Sequence, residues 1–405
     1  MEVKDNELYF DGIGVKSLAQ KYGTPLYIYE ADTIRKQYQK ISRAIRYPHL
    51  QIHYAVKTNS NVSILKILKE LGANVECVSK GSILLALKAG FKSNQIIYTC
   101  NGADEDELRF LIENNIWANL DSLGQVEKWG ELNPGSKIGI RLNLEIGAGG
   151  HKYLKTGGSK SKFGIHMSKI RQVKALARKY DLTIAGIHQH IGSDILTPAP
   201  FIKAAKSLLR IAEQFNDLEV INFGGGFGVA YKDEQKSLDI KKFGEQLDSL
   251  LSKYTATNRK EPIVIIEPGK YLLNEAGVLL AKVTDIKVNP GATFVSLDTG
   301  LGHLIRPAMY GAYHKIINAS RIKGKSQKVT IVGNLCESGD VLGKDRSITQ
   351  PKEGDLLAIL TAGGHGFVMS SFYNARVRPA EVLIDNKRAR TIRKRLDLEE
   401  ALPHF

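Results

Sequence analysis

An alternation of strand-like and helix-like segments, running from about residue 50 to about residue 270, constrains the fold of this chain more than any other feature. The strand-like segments are short and apolar, and they are bounded by polar or glycine-containing turns. Eight such units are typical of a (β/α)8 TIM barrel, although a doubly wound open sheet would show the same local alternation. The count therefore favours the barrel. The predicted strands are 51–57, 73–79, 96–100, 117–121, 137–144, 183–192, 219–226 and 262–269.

The segments between these strands have helical spacing. In residues 61–71 the apolar side chains recur at helical intervals, and Gly72 is placed to end the helix. Beyond the last predicted barrel strand the pattern changes to successive strand-like runs with few helical stretches. The further predicted strands are 278–288, 293–297, 328–332, 355–360 and 380–384.

The chain is long enough for two hydrophobic cores, since it has 405 residues. We predict an α/β protein in which a (β/α)8 TIM barrel is joined to a C-terminal mainly β domain. The barrel domain is predicted over 25–275. The β domain combines 1–24, which includes a strand-like run before Gly12, with 276–405.

Composition excludes several classes of protein. No apolar stretch approaches the roughly 18 to 20 residues that span a bilayer, and the N-terminus has no signal-peptide pattern. The cysteines are sparse and lack metal-ligand spacing, so we expect a reduced cytoplasmic protein that binds no membrane and no metal. These cysteines are Cys77, Cys100 and Cys336.

The formal net charge of +15 favours anionic partners. The densest basic group is 387–395, which has two interpretations: a nucleic-acid patch or a solvated basic face. No recognition motif accompanies it, so we expect no nucleic-acid partner. A positive field would also attract an anionic small substrate or a cofactor phosphate.

Polar side chains gather at the predicted carboxyl ends of the strands, where TIM barrels carry their active sites. Lys57 ends the first strand, and Glu76 and Ser79 end the second. The ammonium of a strand-end lysine can simply reach water, but an aldehyde-reactive lysine that forms a Schiff base also suits this position. His188, Gln189 and His190 end the sixth strand.

The seventh and eighth strands end in a glycine triplet and a carboxylate. Gly224–Gly226 could admit a phosphate to the backbone N–H groups, although a tight strand-to-helix turn would explain the triplet equally well. Glu267 could pair with a ring nitrogen, and His190 could stack on the ring, although a lone histidine is more often a core residue. Together with Lys57, these residues predict pyridoxal 5′-phosphate (PLP) as the cofactor.

Motifs along nearly the whole chain resemble those of the barrel-type PLP decarboxylases with an alanine racemase-like fold, and within them the diaminopimelate decarboxylases. They occur in the order found in that family. The matching segments are Tyr54–Lys57, Lys155–Gly164, His190–Ser193, Gly224–Gly228, Glu267–Gly269, Ile305–His314, Cys336–Asp340, Met369–Asn374 and Arg378–Leu383.

The resemblance implies a role for each matched position. Lys57, His190, Glu267 and Cys336 would be the catalytic residues, with Lys57 bonded to the cofactor and Cys336 donating a proton to the carbanion. The implied cofactor-binding residues are Lys57, His190, Ser193, Gly224, Gly225, Gly226, Glu267, Gly269, Lys270 and His365. The implied substrate-binding residues are Lys270, Arg306, Tyr310, Glu337 and His365.

The resemblance also implies a reaction and an assembly. The substrate would be meso-2,6-diaminopimelate, and the products would be L-lysine and CO2, in the last step of lysine biosynthesis. Arg306 is the best candidate to bind the distal carboxylate that the substrate retains. A homodimer is expected, with Cys336 and Glu337 supplied by the second subunit.

Two positions depart from the family pattern. Lys270 follows Glu-Pro-Gly where the family has Arg, and His365 stands where the family has Tyr. Lysine keeps the charge of arginine but lacks its planar bidentate fork. These changes leave open a sister decarboxylase that acts on another basic or dicarboxylic amino acid, or an inactive PLP-binding homologue. A racemase is disfavoured, because related racemases place Arg opposite the ring nitrogen, where this chain has Glu267.

Overall fold

The computed structural model describes residues 1–150 and 156–404. These residues form two compact units, a β unit that falls within Met1–Ile34, Tyr231–Gln235 and Leu272–Phe405 and a barrel unit that falls within Arg35–Ala230 and Lys236–Tyr271. The sequence predicts that the barrel domain begins at residue 25. Leu26–Glu30 instead forms a strand of the β unit's sheet, because its residues pair with two strands in the C-terminal third of the chain, Gly277–Asn289 and Ala380–Asp385.

The barrel unit contains a closed parallel barrel of eight strands, so the predicted TIM barrel is confirmed. The strands follow one another in chain order, and the eighth pairs with the first through Val264 and Leu50. All eight predicted strands are present, although each is shorter than predicted. They are Leu50–Ala55, Asn74–Cys77, Ile96–Tyr98, Trp117–Leu120, Lys137–Asn143, Thr183–His188, Val220–Asn222 and Ile263–Ile266.

The helix after the first strand shows how the sequence builds one unit of the barrel. Asn61 caps the helix by accepting a hydrogen bond from the Ser63 N–H, which satisfies a backbone donor that has no helical partner. The helix spans Val62–Glu70 and buries four apolar side chains, close to the predicted face. Gly72 follows at a φ of 88°, the left-handed region that glycine enters without steric cost.

The β unit is built on a mixed sheet of nine strands with a second, three-stranded sheet formed by the N-terminal residues. The five strands predicted after residue 275 are all present. The structure adds Ile316–Asn318, Val341–Thr349 and Arg388–Arg393, which the sequence prediction missed. The strands of the unit are Glu2–Lys4, Glu7–Phe10, Ile13–Gly14, Leu26–Glu30, Gly277–Asn289, Ala292–Leu297, Ile316–Asn318, Ser326–Val332, Val341–Thr349, Leu356–Ile359, Ala380–Asp385 and Arg388–Arg393.

The N-terminal strand Glu7–Phe10 joins the apolar core of this unit. Leu8 and Phe10 are buried in one cluster with Val278 and Val382, which lie on two strands of the large sheet. The Leu8 N–H also donates to the Ala319 carbonyl at 2.9 Å. Burial of these apolar side chains, at about 25 cal/mol per Å², holds the first residues of the chain to strands more than 250 residues away in sequence.

Helices account for most of the remaining ordered segments. Among the described residues, none is long and apolar enough to cross a membrane. The α-helices are Val15–Tyr22, Ala31–Ala44, Val62–Glu70, Lys80–Lys88, Glu105–Glu113, Leu123–Leu132, Ile170–Lys179, Pro198–Ala212, Ile240–Asn258, Lys270–Leu273, Arg306–Tyr310 and Leu398–Ala401.

Candidate active site

Lys57 lies directly after the first barrel strand, in a 3-10 turn of Val56–Thr58. Its Nζ is 2.6 Å from Oε2 of Glu76, the last residue but one of the neighbouring strand. The lysine side chain is 40% exposed, whereas that of Glu76 is 1% exposed. Burial raises the pKa of Glu76, and the adjacent ammonium partly opposes this effect. The ammonium therefore does more than reach water: it compensates a buried carboxylate.

Glu267 follows the eighth strand and is fixed by two neighbours. Its Oε1 accepts a hydrogen bond from Asn222 Nδ2 at 2.8 Å, and its Oε2 lies 3.3 Å from His188 Nε2. Burial alone would raise the pKa of Glu267. The charge and the hydrogen bond of His188, together with the charge of Lys57, instead hold this pKa well below its ordinary value. The site thus keeps an ionised carboxylate although that residue is only 4% exposed.

His190 lies beyond the sixth strand and accepts a backbone hydrogen bond. The Gly225 N–H donates to its Nδ1 at 3.1 Å, so this ring nitrogen carries no proton. Burial lowers the pKa of His190 well below its usual range, and the nearby Arg141 lowers it further. His190 is therefore a neutral imidazole, which suits stacking on an aromatic ring.

The glycine triplet Gly224–Gly226 is required by close backbone packing. A Cβ at Gly225 would collide with the carbonyl oxygen of Glu267, and one at Gly224, whose φ is 70°, would collide with the carbonyl of Gln189. The Gly224 N–H already donates to Asn222 Oδ1, two residues before it, and the Gly225 N–H donates to His190 Nδ1. Phosphate binding by these two amides would require them to change partners.

Ser193 and Lys270 are connected through a residue that the sequence prediction missed. Asp194 follows Ser193 at a φ of 59°, and its Oδ2 accepts a hydrogen bond from Lys270 Nζ at 2.8 Å. The side chains of Lys270 and Asp194 are only 7% and 14% exposed. Gly269, just before Lys270, packs so closely on Thr58 that a Cβ would collide with the threonine hydroxyl.

A cavity of about 220 Å³ lies at this end of the barrel unit. Three of the predicted catalytic residues line it together, whereas Ser193, the glycine triplet and Lys270 do not. The lining residues are Lys57, Glu76, Val78, Thr99, Cys100, Asn101, Arg141, Thr156, Phe163, His188, His190 and Glu267.

The donor set of this cavity fits a pyridine aldehyde cofactor. A primary amine, a neutral imidazole and an ionised buried carboxylate line the same space, and these are the groups that such a ring requires. Arg141 adds a buried cation whose guanidinium stacks on Phe163, with 4.7 Å from its carbon to the ring centroid. No cluster of three or more metal-ligating side chains occurs among residues 1–150 and 156–404.

The β unit contains the predicted proton donor. Cys336 is exposed, and its N–H donates to Asn374 Oδ1 at 2.8 Å. Glu337 is also exposed and lies 3.4 Å from the Tyr373 hydroxyl. Asp340 anchors this loop, because its carboxylate accepts hydrogen bonds from the N–H groups of Leu301 and Leu335.

Arg306, the predicted ligand of the distal carboxylate, is almost fully buried within the β unit. It is 2% exposed, and its Nη1 donates to the Tyr231 hydroxyl at 2.7 Å. Its guanidinium carbon is also 5.0 Å from the centroid of the same ring. Tyr310 and His365 belong to this unit as well, and both are partly exposed.

Several functional candidates were missed or left without a role by the sequence analysis. Glu76 and His188 were noted at strand ends, and their positions alone could have suggested contact with Lys57 and Glu267. Nothing in the sequence singled out Asp194 or Tyr231. One residue of the family-like motifs, residue 155 at the start of the segment Lys155–Gly164, lies outside the described residues.

A family model described as pyridoxal-dependent decarboxylase, pyridoxal binding domain, matches residues 31–274. Diaminopimelate decarboxylase of Methanothermobacter thermautotrophicus is 39% identical over 99% of this chain and 96% of its own length. The enzyme of Aquifex aeolicus is 37% identical over 98% of this chain and 94% of its own length.

Solved structures of diaminopimelate decarboxylases are also similar to this chain. Diaminopimelate decarboxylase from M. jannaschii in complex with L-lysine superimposes with a TM-score of 0.92 and 32% identity, covering 100% of this chain and 96% of that one. The Helicobacter pylori enzyme complexed with L-lysine gives a TM-score of 0.89 and 30% identity, covering 96% and 98%.

Proposed function

The chain belongs to the diaminopimelate decarboxylase family of PLP-dependent carboxy-lyases, and from this premise we propose how its own residues carry out the reaction. The enzyme decarboxylates meso-2,6-diaminopimelate to L-lysine and CO2, in the last step of lysine biosynthesis. The observation that carries the proposal is that Lys57, His190 and Glu267 line one cavity.

PLP, when bound, supplies an electron sink for the carbanion that loss of CO2 leaves at Cα. Lys57 would hold the cofactor aldehyde, and His190 would lie against the ring face. Glu267 would hold a proton on the ring nitrogen, since its carboxylate is ionised and both of its oxygens are positioned by neighbours. A pre-oriented charge on a carboxylate that is itself buried stabilises the transition state without reorganisation.

Glu76 would control the proton on Lys57. An amine bonds to an aldehyde only when it is neutral, and the ammonium found here is paired with a buried carboxylate at 2.6 Å. Burial favours the protonated form of that carboxylate, so Glu76 can accept a proton as Lys57 reacts.

For the phosphate, we propose Ser193 and Gly226 as ligands, with Gly224 and Gly225 shaping the loop. Ser193 is half-buried and precedes a segment that pairs with the glycine loop, since the Ile195 N–H donates to the Gly226 carbonyl at 3.1 Å. Gly269 would contribute by allowing the Glu267 loop to approach Thr58.

The β domain would supply the remaining groups. Arg306, Tyr310 and His365 would act toward the distal end of the substrate, and Tyr231 would orient Arg306. Cys336 would donate the proton to Cα, and Glu337 would contact the substrate. The exposure of Cys336 and Glu337 supports a site completed by a second copy of the chain, as in a homodimer. The three free cysteines support a cytoplasmic location.

A domain division follows from these roles. The barrel domain would bind PLP, and the β domain, assembled from both ends of the chain, would carry Cys336. The two compact units support this division, with the N-terminal boundary between Ile34 and Arg35.

The decisive experiment measures CO2 release by PLP-loaded protein offered meso-diaminopimelate, lysine, ornithine and arginine in parallel. Release from diaminopimelate alone, with L-lysine formed, is the expected result. Release from another amino acid would identify a sister decarboxylase, the alternative that Lys270 and His365 raise. Visible absorbance of the bound cofactor should disappear in Lys57→Ala and persist in Lys66→Ala, a change at an exposed helical lysine. Absence of the band from the unaltered protein would contradict PLP binding.

Subunit mixing tests the shared site. Lys57→Ala and Cys336→Ala subunits, each inactive alone, should regain about a quarter of the activity when mixed, by random pairing in a symmetric two-site dimer. Cys336→Ala alone should retain the cofactor band. No recovery despite confirmed subunit exchange would place each site within one chain.

A further inference from the structure

The ion pair between Lys270 and Asp194 lies next to the proposed phosphate ligands. Asp194 directly follows Ser193, and the next residue, Ile195, pairs with Phe227 and donates its N–H to the carbonyl of Gly226 in the glycine loop. A carboxylate at this position would repel a phosphate dianion unless a cation neutralised it. Lys270 provides that cation, with its Nζ 2.8 Å from Asp194 Oδ2.

We propose that Lys270 acts as the counter-charge of Asp194, not as a ligand of the cofactor phosphate or of the substrate carboxylate. It is a positioning residue, and its effect on the phosphate passes through the neutralised carboxylate. This inference rests on the proposed function and refines one of its assignments. It also gives a physical reason for lysine here: a single compact ammonium suffices for one carboxylate oxygen, whereas the bidentate fork of arginine is unnecessary.

The burial of the pair gives the proposal its energetic basis. Removing one member of a buried ion pair leaves an uncompensated charge, which is costly, whereas replacing both members by neutral groups is often nearly neutral. The two side chains are 7% and 14% exposed, so this asymmetry applies. A Lys270→Met protein would retain the Asp194 charge beside the phosphate ligands. A Lys270→Met/Asp194→Asn protein would lose both charges.

The backbone conformation at residue 194 and the shape of methionine permit these substitutions. Asp194 has a φ of 59°, a left-handed conformation that asparagine adopts at least as readily as aspartate, so Asp194→Asn keeps the loop geometry. Methionine keeps the apolar stem of Lys270 in its buried position and removes only the ammonium.

The experiment compares the dissociation constants of PLP and of pyridoxal, which has the aldehyde but no phosphate, by titration of the visible absorbance. The ratio of the two constants isolates the contribution of the phosphate from that of the bond to Lys57. We expect Lys270→Met to reduce the preference for PLP at least about tenfold, which corresponds to about 1.4 kcal/mol. The double variant should return to within about threefold of the unaltered protein.

A double variant that remains as weak as Lys270→Met would overturn the inference, because it would show that Lys270 contacts the phosphate itself. An unchanged ratio in Lys270→Met would overturn it as well. Asp194→Asn provides a further test if Lys270→Met does not fold: its preference for PLP should equal or exceed that of the unaltered protein, and a decrease would contradict the proposal. If the unaltered protein binds neither aldehyde, the proposed function itself fails, which is a distinct result.

Discussion

The Lys57 ammonium lies 2.6 Å from a carboxylate oxygen of Glu76, and this carboxylate is almost completely removed from solvent. Lys57→Ala should therefore destabilise the cofactor-free protein by leaving the Glu76 charge without its cation. Because the lysine is 40% exposed, we expect a loss of about 1–2 kcal/mol in the free energy of unfolding, less than for a fully buried pair.

Adding Glu76→Gln to the Lys57→Ala protein tests whether the loss of stability comes from the unpaired carboxylate. Lys57→Ala/Glu76→Gln should recover most of the lost stability, since neither charge remains. Urea unfolding of both variants and of the unaltered protein measures these differences. If the double variant is less stable than Lys57→Ala, the carboxylate is stabilising for another reason and the pairing argument is wrong.

The charge of Glu267 is expected to matter for turnover more than for cofactor binding. Glu267→Gln preserves shape but cannot favour a protonated ring nitrogen, so CO2 release should fall at least about a hundredfold while the visible cofactor band persists. Glu261→Gln makes the same chemical change at a residue that is 67% exposed and should stay within about twofold of the unaltered enzyme. A Glu267→Gln protein of near-normal activity would remove this carboxylate from the mechanism.

The strands and helices of the barrel could be predicted from the sequence because each leaves a local pattern. The closure of the barrel, in which its first and last strands pair, could not be predicted in this way. An open sheet has the same alternation, and the two folds differ only in whether the first and last strands pair. That pairing joins Val264 to Leu50, more than 200 residues apart. The sequence assigns Leu26–Glu30 to the wrong unit for a related reason, since the partners of this strand lie in the C-terminal third of the chain.

In the candidate site, too, the sequence predicted residues that strand order places but not contacts that depend on tertiary structure. Lys57 and Glu267 could be identified because strand order places their positions at one end of a barrel. The pairing of Lys270 with Asp194 could not, since it depends on a left-handed backbone conformation in a loop. The burial of Arg306 against Tyr231 likewise depends on a tertiary arrangement with no local signal.

The loop that carries Cys336 should depend on Asp340. Its two carboxylate oxygens accept hydrogen bonds from the Leu301 N–H at 2.5 Å and the Leu335 N–H at 2.9 Å. In Asp340→Asn, one of these N–H groups would face an amide donor, so the free energy of unfolding should fall by about 1–3 kcal/mol. CO2 release should fall too, because the loop carrying the proton donor loses an anchor.

Cys336→Ala separates the effect on stability from the effect on CO2 release. The Cys336 side chain is exposed, so its removal should change stability by less than about 0.5 kcal/mol while CO2 release is lost. Chemical unfolding and CO2 release on the same preparations test both variants. An Asp340→Asn protein with full stability and full activity would show that the loop holds its shape without this carboxylate.

His53 should make the stability of the protein depend on pH. It is 2% exposed inside the barrel, with Nε2 3.1 Å from Gln51 Oε1, and burial lowers its pKa from 6.5 to about 4. Between these two values the unfolded chain binds a proton that the folded chain excludes. The contribution of His53 is therefore complete above pH 6.5 and is lost as the pH falls toward 4, by about 1.4 kcal/mol per pH unit.

His53→Gln tests this sign and size, because glutamine cannot take up the proton. Urea unfolding of cofactor-free protein at pH 7 and pH 5 should show a drop in stability for both proteins, and the drop should be about 2 kcal/mol smaller in the variant. The comparison uses the change between the two pH values, so any cost of the substitution at pH 7 cancels. Equal drops would mean that His53 takes up its proton in the folded state as readily as in the unfolded chain, despite its burial in the barrel.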